Sequence, residues 1–364
     1  MSITKLSVSL LALAGSGFLA TPAPAQVPPP DVFHYKIVNS AQHMGTGGID
    51  YVCADSVGRR LYVPRGGQVL VFDLDSLKSV GTIPDAKGVH GAAIDPKSHH
   101  GFSSSNPVLM WDTQTLATLK TIPVEGNPDG IYFEAETERV YVLSHRAPNA
   151  TVIDAKDGAI VGTIDLGGAP EQAVSDGHGH LFVDIEDNNN VAVVDVKTLK
   201  VTAHHDLGGK ATTPAGLGLD AKNHILFAFC RNPATAVIMN ADDGKIITTL
   251  PIGSGTDGGG FNPNTMEAFS SQRDGTLTII KETSPTSFVV AQTVQTKPGA
   301  KTCTLDEKKN TIILIATERP ATPTGDAAVA APATNAPAGG QPGGRRSGRG
   351  NNGPALLDLI VVGR

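Results

Sequence analysis

The chain has 364 residues, which is enough for one large domain or two ordinary ones. Its 41 glycines, 25 prolines and only 5% aromatic residues are typical of many short strands joined by turns. The formal net charge of −6 gives no general electrostatic support for nucleic-acid binding, and we expect no nucleic-acid partner.

Residues 1–25 have the pattern of a signal peptide. The segment MSITK carries one Lys and precedes the apolar run LSVSLLALAGSGFLA, which is too short to span a bilayer comfortably. The A-x-A signal Ala23-Pro24-Ala25 predicts cleavage before Gln26, with an uncleaved anchor as the alternative. No later stretch is long and apolar enough to cross a membrane. We therefore expect an exported protein, periplasmic or extracellular, with no membrane span after cleavage.

The stretch 126–166 contains one complete unit of a pattern that fills most of the chain. Runs rich in β-branched and aromatic residues alternate with turns of Gly, Pro, Asn and Asp, which predicts short strands. We expect these strands at Gly130–Phe133, Arg139–Leu143, Thr151–Asp154 and Ala159–Ile164. One such sheet cannot bury both of its faces, so neighbouring copies must cover it.

An acidic residue or Asn follows the first strand of every copy. These anchor residues are Asp55, Asp95, Glu134, Asp176, Asp220, Asn262 and Asp306, spaced 39 to 44 residues apart. The residue alternation has period two throughout, which excludes helical arrays, and the turns are too long for a parallel β-helix. Seven copies of a four-stranded antiparallel unit predict an all-β, seven-bladed β-propeller. Blade boundaries are expected near residues 45, 85, 125, 167, 208, 253 and 297.

The seventh copy contains three strands after its boundary, at Thr302–Leu305, Thr311–Ala316 and Leu356–Val362. We expect the N-terminal run Val32–Val38 to supply its fourth strand and so to close the ring. Residues 320–354, almost all Ala, Pro, Gly, Thr, Asn and Arg, interrupt this blade and are predicted to be disordered. A solvated loop is favoured over a basic segment that touches an anionic partner.

The copies share a further pattern. The runs RVYVL, RLYVP and GHLFVD precede xVxVxD strands and K-x-(V/I)-x-T-I strands. These motifs resemble the YVTN-repeat β-propellers, the YncE-like family, over almost all of residues 26–364 apart from the insertion. The resemblance implies a single propeller domain, but it names no function, because such propellers serve binding and enzymatic roles alike. Copies five and six depart most, with ILFAFCRN and TMEAFSSQRD in place of the usual run.

Polar residues recur five positions before the anchors, at the start of each inner strand. The residues there are Asp50, His90, Asp129, Glu171, Ala215, Asp257 and Lys301. We expect them to form a ring around one opening of the central channel. Asp50, Asp129, Glu171 and Asp257 would supply hard oxygen ligands for Ca²⁺ or Mg²⁺, and His90 would admit a transition metal. The alternative, which spacing alone favours, is a wet channel mouth whose acids cap backbone N–H groups or pair with Lys301.

Arginines follow the second strand in five of the copies: Arg65, Arg146, Arg231, Arg273 and Arg319. These loops should open on the same face as the acidic ring. An arc of guanidinium groups there would suit a zwitterionic or anionic small molecule, or a peptide. The alternative is local pairing of each arginine with a nearby acid such as Glu186, Asp187, Asp274 or Glu318.

The chain has three cysteines, an odd number for an oxidising compartment. Cys53 and Cys303 fall on the inner strands of blades one and seven, which are neighbours. They either face each other across the closure seam, where a disulfide would form, or point away. Cys230 is predicted to be a buried free thiol.

No sequence motif identifies a reaction, since G-x-S-x-G, phosphate-loop and C-x-x-C-H patterns are absent. This favours a monomeric binding or scaffold propeller that presents its channel mouth to a protein or small-molecule ligand without turnover. The alternative is a metal-dependent hydrolase or lactonase, with Ca²⁺ or Mg²⁺ polarising an ester carbonyl and His90 or a carboxylate as general base. Gluconolactonase-type propellers are a fold-level analogy for it. Quinone or haem binding is a third reading, which no ligand motif supports.

Overall fold

A computed structural model of the chain describes residues 34–318 and 354–364. The described part begins with strand β1 (Lys36–Gly45), and four-stranded blades follow. Blade one contains β2 (Cys53–Asp55), β3 (Arg60–Arg65), β4 (Gln68–Asp73) and β5 (Ser79–Ile83). Blade two contains β6 (Ala92–Asp95), β7 (His100–Ser103), β8 (Val108–Asp112) and β9 (Thr118–Ile122). Blade three contains β10 (Pro128–Glu134), β11 (Arg139–Ser144), β12 (Ala150–Asp154) and β13 (Ile160–Ile164).

The remaining blades repeat this order. Blade four contains β14 (Pro170–Ser175), β15 (His180–Ile185), β16 (Asn190–Asp195) and β17 (Lys200–Asp206). Blade five contains β18 (Thr212–Asp220), β19 (Ile225–Asn232), β20 (Ala234–Asn240) and β21 (Ile246–Pro251). Blade six contains β22 (Thr256–Asn262), β23 (Glu267–Gln272), β24 (Thr276–Ser284) and β25 (Ser287–Gln295). Blade seven contains β26 (Thr302–Asp306), β27 (Thr311–Glu318) and β28 (Ala355–Gly363), with β1 as its outer strand.

Each blade is an antiparallel sheet, and the first strands of neighbouring blades contact one another around a ring. The ring closes where β2 meets β26. The prediction of a seven-bladed propeller closed by the N-terminal strand is therefore confirmed. The closing strand runs farther along the chain than the predicted Val32–Val38, because β1 pairs with β28 from Lys36 opposite Gly363 to Gly45 opposite Ala355. The start of the predicted range lies outside the described residues.

Every interface between neighbouring blades of the described chain is filled by its own hydrophobic cluster. Blades three and four, for example, share a cluster that contains Tyr141 and Leu143 on one side and Leu181 and Val183 on the other. Alternate residues of each strand face opposite sides of the sheet, so one strand contributes to two clusters. Each blade buries its faces against two neighbours, so the contacts between blades are a main source of the stability of the fold.

The anchor residues of the repeat form the turns between the first and second strands. Oδ1 of Asp55, for example, accepts hydrogen bonds from the backbone N–H of Val57 and of Gly58 at 3.0 and 2.7 Å. Glu134 accepts equivalent bonds from Glu136 and Thr137, both at 2.8 Å. Carboxylate side chains that bond backbone N–H groups two and three residues on are a common device for tight turns.

Cys53, Cys230 and Cys303 are all free thiols. Cys303 belongs to the cluster between blades six and seven, whereas Cys53 packs against the cluster between blades one and two. The opposite parity of the two inner-strand cysteines therefore points them away from each other. Cys230 is fully buried, as predicted.

Two sequence predictions lie outside the described residues: the signal peptide at 1–25 and all of the 320–354 insertion except Pro354. Within the described residues, the structure has no helix with the length and hydropathy that a membrane-spanning helix requires.

Candidate functional site

Charged side chains form a closed ring at one end of the channel, and acidic and basic groups alternate around it. In order, the members are Asp50, His90, Asp129, His145, Glu171, Arg231, Asp257 and Lys301, after which Lys301 returns to Asp50. We call this set the charge ring. Six of its members are the residues that sequence spacing placed at the channel mouth.

The local backbone aims these side chains into the channel. Asp129, Glu171 and Asp257 each lie where the inner strand shifts register against the second strand of its blade. Such an irregularity turns a side chain away from the regular face of the sheet. Blades three and four also approach each other closely at Gly130, where a Cβ would lie 2.2 Å from the backbone oxygen of Glu171. A side chain at position 130 would push blades three and four apart at the mouth.

One half of the charge ring is built from histidines and carboxylates. Nδ1 of His90 lies 2.8 Å from Oδ2 of Asp50 and 3.1 Å from Oδ1 of Asp129. The second oxygen of Asp129 lies 2.9 Å from Nε2 of His145. The same nitrogen is 3.8 Å from Oε1 of Glu171. Asp129 therefore stands between the two imidazoles, with one oxygen toward each.

The other half is built from Arg231, Asp257 and Lys301. Asp257 accepts from Arg231 through one oxygen and from Lys301 through the other. Lys301 also lies 3.0 Å from Oδ1 of Asp50, and Nη1 of Arg231 lies 2.7 Å from Glu186. Asp257 is almost fully buried, so its pairing with two cations compensates for its desolvation.

A tyrosine crosses the channel below the charge ring. The hydroxyl of Tyr51, from blade one, donates to Oε2 of Glu171, from blade four, at 2.5 Å. Burial raises the pKa of Glu171 to about 9, an effect that the neighbouring charge of Asp129 adds to and that of Arg231 opposes. Burial at this position therefore favours the protonated form of Glu171, whereas the bond from Tyr51 favours the carboxylate.

The pKa values of both imidazoles of the charge ring are raised by their carboxylate partners. The hydrogen bond to Asp50 raises the pKa of His90 above its ordinary value, and burial opposes this effect. The hydrogen bond to Asp129 likewise raises the pKa of His145, with burial again opposing it. The two histidines lie on the solvent side of the ring, with side chains 39% and 33% exposed.

The charge ring surrounds an open pocket of about 350 Å³. The residues that line it are Asp50, Asp129, Glu171, Arg231, Gly255, Asp257, Arg273 and Lys301. Arg273 stands apart from the other charged lining residues. It is exposed, and within the described residues no carboxylate pairs with it.

The predicted arc of arginines is only partly present. Arg231 and Arg273 reach the pocket, whereas Arg146 is exposed without lining it. Arg65 is buried, and its guanidinium donates to the backbone oxygens of His43 and Ala355, not to the mouth. Arg319 lies outside the described residues. The alternative of local pairing with an acid holds for Arg231, which binds Glu186.

Sequence reasoning missed His145 and Tyr51. His145 directly precedes Arg146 in the loop after the second strand of blade three, where arginine recurs between the copies but histidine does not. Tyr51 directly follows Asp50, and it is found only when the side-chain directions along the inner strand are known. Loop side chains of this kind follow no repeat spacing.

Beyond Tyr51, the channel widens into a second pocket of about 570 Å³. Mainly small and apolar side chains of the inner strands line it, including Ala92, Ile131 and Leu217. Gln172 crosses between blades here, since its amide oxygen accepts from the backbone N–H of Leu217 and of Gly259 at 3.0 and 3.1 Å.

Two groups within the charge ring have the composition and spacing of metal ligands. The first is Asp50, His90 and Asp129, and the second is Asp129, His145 and Glu171. In each group the candidate ligand atoms lie within 4.8 Å of one another. Asp257, the remaining residue of the predicted hard-cation set, is held between Arg231 and Lys301 instead.

Fold and site together define a seven-bladed β-propeller with a charged channel mouth. A chain in the crystal structure of the mitotic checkpoint complex matches 85% of this chain over 96% of its own length, with a TM-score of 0.68 and 14% identity. The structure of U3-55K matches 74% of this chain over 90% of its own length, with a TM-score of 0.63 and 11% identity. At these identities the likeness shows the fold alone. No protein-family model and no curated protein sequence matches the chain.

Proposed function

We propose that this chain is an exported propeller of the YVTN-repeat, YncE-like kind that binds a small anionic or zwitterionic molecule at its channel mouth. The repeat motifs and the N-terminal segment 1–25 support the first part of this proposal. The pocket inside the charge ring supports the second part. A protein partner, the other reading of a propeller mouth, would contact the same face.

The observation that carries the proposal is the unpaired guanidinium of Arg273. Every carboxylate that lines the pocket already has a partner within the charge ring or in Tyr51. Within residues 34–318 and 354–364, Arg273 is therefore a cation without a paired carboxylate, and it lines the pocket. A carboxylate or phosphate of a ligand would supply the missing partner, and guanidinium groups bind such anions in bidentate geometry.

The size and polarity of the pocket favour a small polar ligand. A volume of about 350 Å³ lies near the lower end of the range for ligand sites. Paired acids on the pocket wall, such as Asp50 and Asp129, could accept from an ammonium or hydroxyl group of the same ligand. An amino acid or a hydroxy acid has this combination of groups.

The test is binding of a panel of small carboxylates, amino acids and phosphates by calorimetry. We expect Arg273→Gln to weaken binding by about tenfold to a hundredfold, as the loss of a charge-assisted hydrogen bond predicts. Arg146→Gln is the matched control, because this arginine is exposed on the equivalent loop of blade three but does not line the pocket. Equal effects of both changes, or no binding by the unmodified protein, would refute the pocket as the site.

Export is tested separately, by expression of the full chain in a Gram-negative host. The mature protein is expected in the periplasmic fraction or the medium, with Gln26 as its first residue by mass spectrometry. An intact chain recovered from the cytoplasm would contradict this part and leave the ligand proposal standing.

The metal-dependent hydrolase is the second candidate, and the convergence of His90 and His145 on one shared carboxylate, Asp129, is what favours it. A hard cation held by Asp50, Asp129, Glu171 and Asp257 has less support. Asp257 is already bound by two cationic side chains, which would repel Ca²⁺ or Mg²⁺.

A further inference from the structure

We infer that the histidine half of the charge ring is a binding site for divalent transition-metal ions, with Zn²⁺ as the type, built on the shared ligand Asp129. His90 and Asp50 complete one group of three ligands, and His145 and Glu171 complete the other. This set differs from the four-carboxylate set that the sequence predicts, because it replaces Asp257 by two imidazoles. The inference does not depend on the ligand proposed above.

The spacing of the donor atoms fits metal coordination. Bonds of about 2.0–2.1 Å at tetrahedral angles place neighbouring ligand atoms roughly 3.3 Å apart. The imidazole nitrogen of His90 lies 2.8 and 3.1 Å from its two carboxylate oxygens, and that of His145 lies 2.9 and 3.8 Å from its two. These distances bracket the expected value, so small rotations of the side chains would admit an ion.

The kinds of donor decide the class of metal. Imidazole nitrogen with carboxylate oxygen suits Zn²⁺, Mn²⁺, Fe²⁺ and Co²⁺, whereas Ca²⁺ and Mg²⁺ prefer oxygen alone. Asp129 offers a separate oxygen to each histidine, which is the arrangement of a carboxylate that bridges two ions. We therefore expect one ion per group, and two ions bridged by Asp129 when both groups are filled.

The surroundings hold the ligands in place and leave access from solvent. Asp129 and Glu171 are buried at 8% and 5% exposure, while the two histidines reach the open side.

Each group supplies three protein ligands, which leaves a coordination position toward the pocket. If the pocket binds an anion as proposed above, that position would let the metal contact the same anion as Arg273. This consequence rests on the proposed function; the metal site itself does not.

The experiment uses the full chain, freed of metal by a chelator and then titrated with Zn²⁺ by calorimetry and with Co²⁺ by visible absorption. We expect binding of one or two ions per chain, and Co²⁺ d–d bands typical of mixed nitrogen and oxygen ligands. The double change His90→Gln with His145→Gln should weaken binding at least about a hundredfold and remove the bands.

The matched control is His180→Gln with His224→Gln. These surface histidines also lie 2.8 Å from a carboxylate, Asp176 and Asp242 respectively, but belong to neither group of three. Unchanged Zn²⁺ binding in the His90 and His145 double variant, or no stoichiometric binding by the unmodified chain, would overturn the inference. If that variant does not fold, Asp50→Asn replaces it, and its expected result is an altered Co²⁺ spectrum with normal circular dichroism.

These results are separable from the anion test. Anion binding to the metal-free chain, lost in Arg273→Gln, would support the proposed ligand site even if no metal bound. Metal binding that persists in Arg273→Gln would support the metal site even if no anion bound.

Discussion

Asp184 is a buried carboxylate that forms no salt bridge within the described residues, although the charge of Arg231 still acts on it. It is fully buried on β15, where Oδ1 accepts from the backbone N–H of Gln172 at 2.6 Å. Oδ2 has no hydrogen-bond partner in the described part of the chain. Burial raises the pKa of Asp184 from the ordinary 3.8 to about 7, although the bond from Gln172 opposes the shift. Through its bond to Gln172, Asp184 holds the backbone next to Glu171, which lines the channel mouth. The arrangement leaves an acid buried in the protein.

This shift predicts a pH dependence of stability. Between about pH 4 and pH 7 the folded state holds a proton that the unfolded state has released, so the free energy of unfolding falls as pH rises through this window. Asp184→Asn keeps the acceptor for Gln172 and removes the titration. The measured quantity is the free energy of unfolding of the variant minus that of the unmodified protein. We expect this difference to be about 2–4 kcal/mol larger at pH 8 than at pH 4, at roughly 1.4 kcal/mol per pKa unit.

Urea unfolding at a series of pH values measures the difference between the two proteins. Other titrating groups cancel in that difference, because they are common to both. A difference that stays constant from pH 4 to pH 8 would contradict the raised pKa.

At the scale of strands and turns, the repeat in the sequence predicted the turns, the strands and the closure of the ring. Anchors such as Asp55 and Glu134 recur because a carboxylate closes the same turn in each blade. The alternation of apolar residues assigned the strands, and their number required a closed ring. The predicted first strand of blade three, Gly130–Phe133, is shorter than β10, which also contains Pro128 and Asp129. Pro128 pairs with Ser144 and the register then shifts before Ile131, an irregularity that alternation does not reveal.

The candidate site was predictable only where it follows the same periodicity. Five positions before the anchor located six members of the charge ring, since each inner strand starts at the same mouth. It did not locate His145, which lies on a loop. The separate pattern of arginines after the second strands placed Arg65 at the mouth, but the structure buries its guanidinium against backbone oxygens next to the closing strands. Side-chain direction at a strand exit depends on neighbours from distant parts of the chain, which spacing does not encode.

At the scale of the whole molecule, the two ends of the described chain are fastened to blade six. The hydroxyl of Tyr35 donates to Glu267 at 2.8 Å, and its backbone N–H donates to Gln292 at 2.8 Å. Arg364 pairs with the other oxygen of Glu267, and its guanidinium lies 4.6 Å from the centre of the Tyr35 ring. Glu267 is thus the common acceptor for residues that flank β1 and β28, the two strands that complete blade seven.

Closure gives every blade two neighbours. Loss of the contacts that Glu267 makes with Tyr35 and Arg364 should therefore lower the stability of the entire propeller, not of one edge. Glu267→Ala leaves a buried hydroxyl and a guanidinium without their shared acceptor, and we expect the free energy of unfolding to fall by about 2–4 kcal/mol. Glu138→Ala is the control, since Glu138 forms an exposed pair with Lys97 and should change stability by at most about 0.5 kcal/mol. Denaturant unfolding compares the two variants. Equal stability would mean that strand pairing between β1 and β28 closes the ring without help from Glu267. The expected loss, seen as one cooperative transition, would show that Glu267 stabilises the whole propeller.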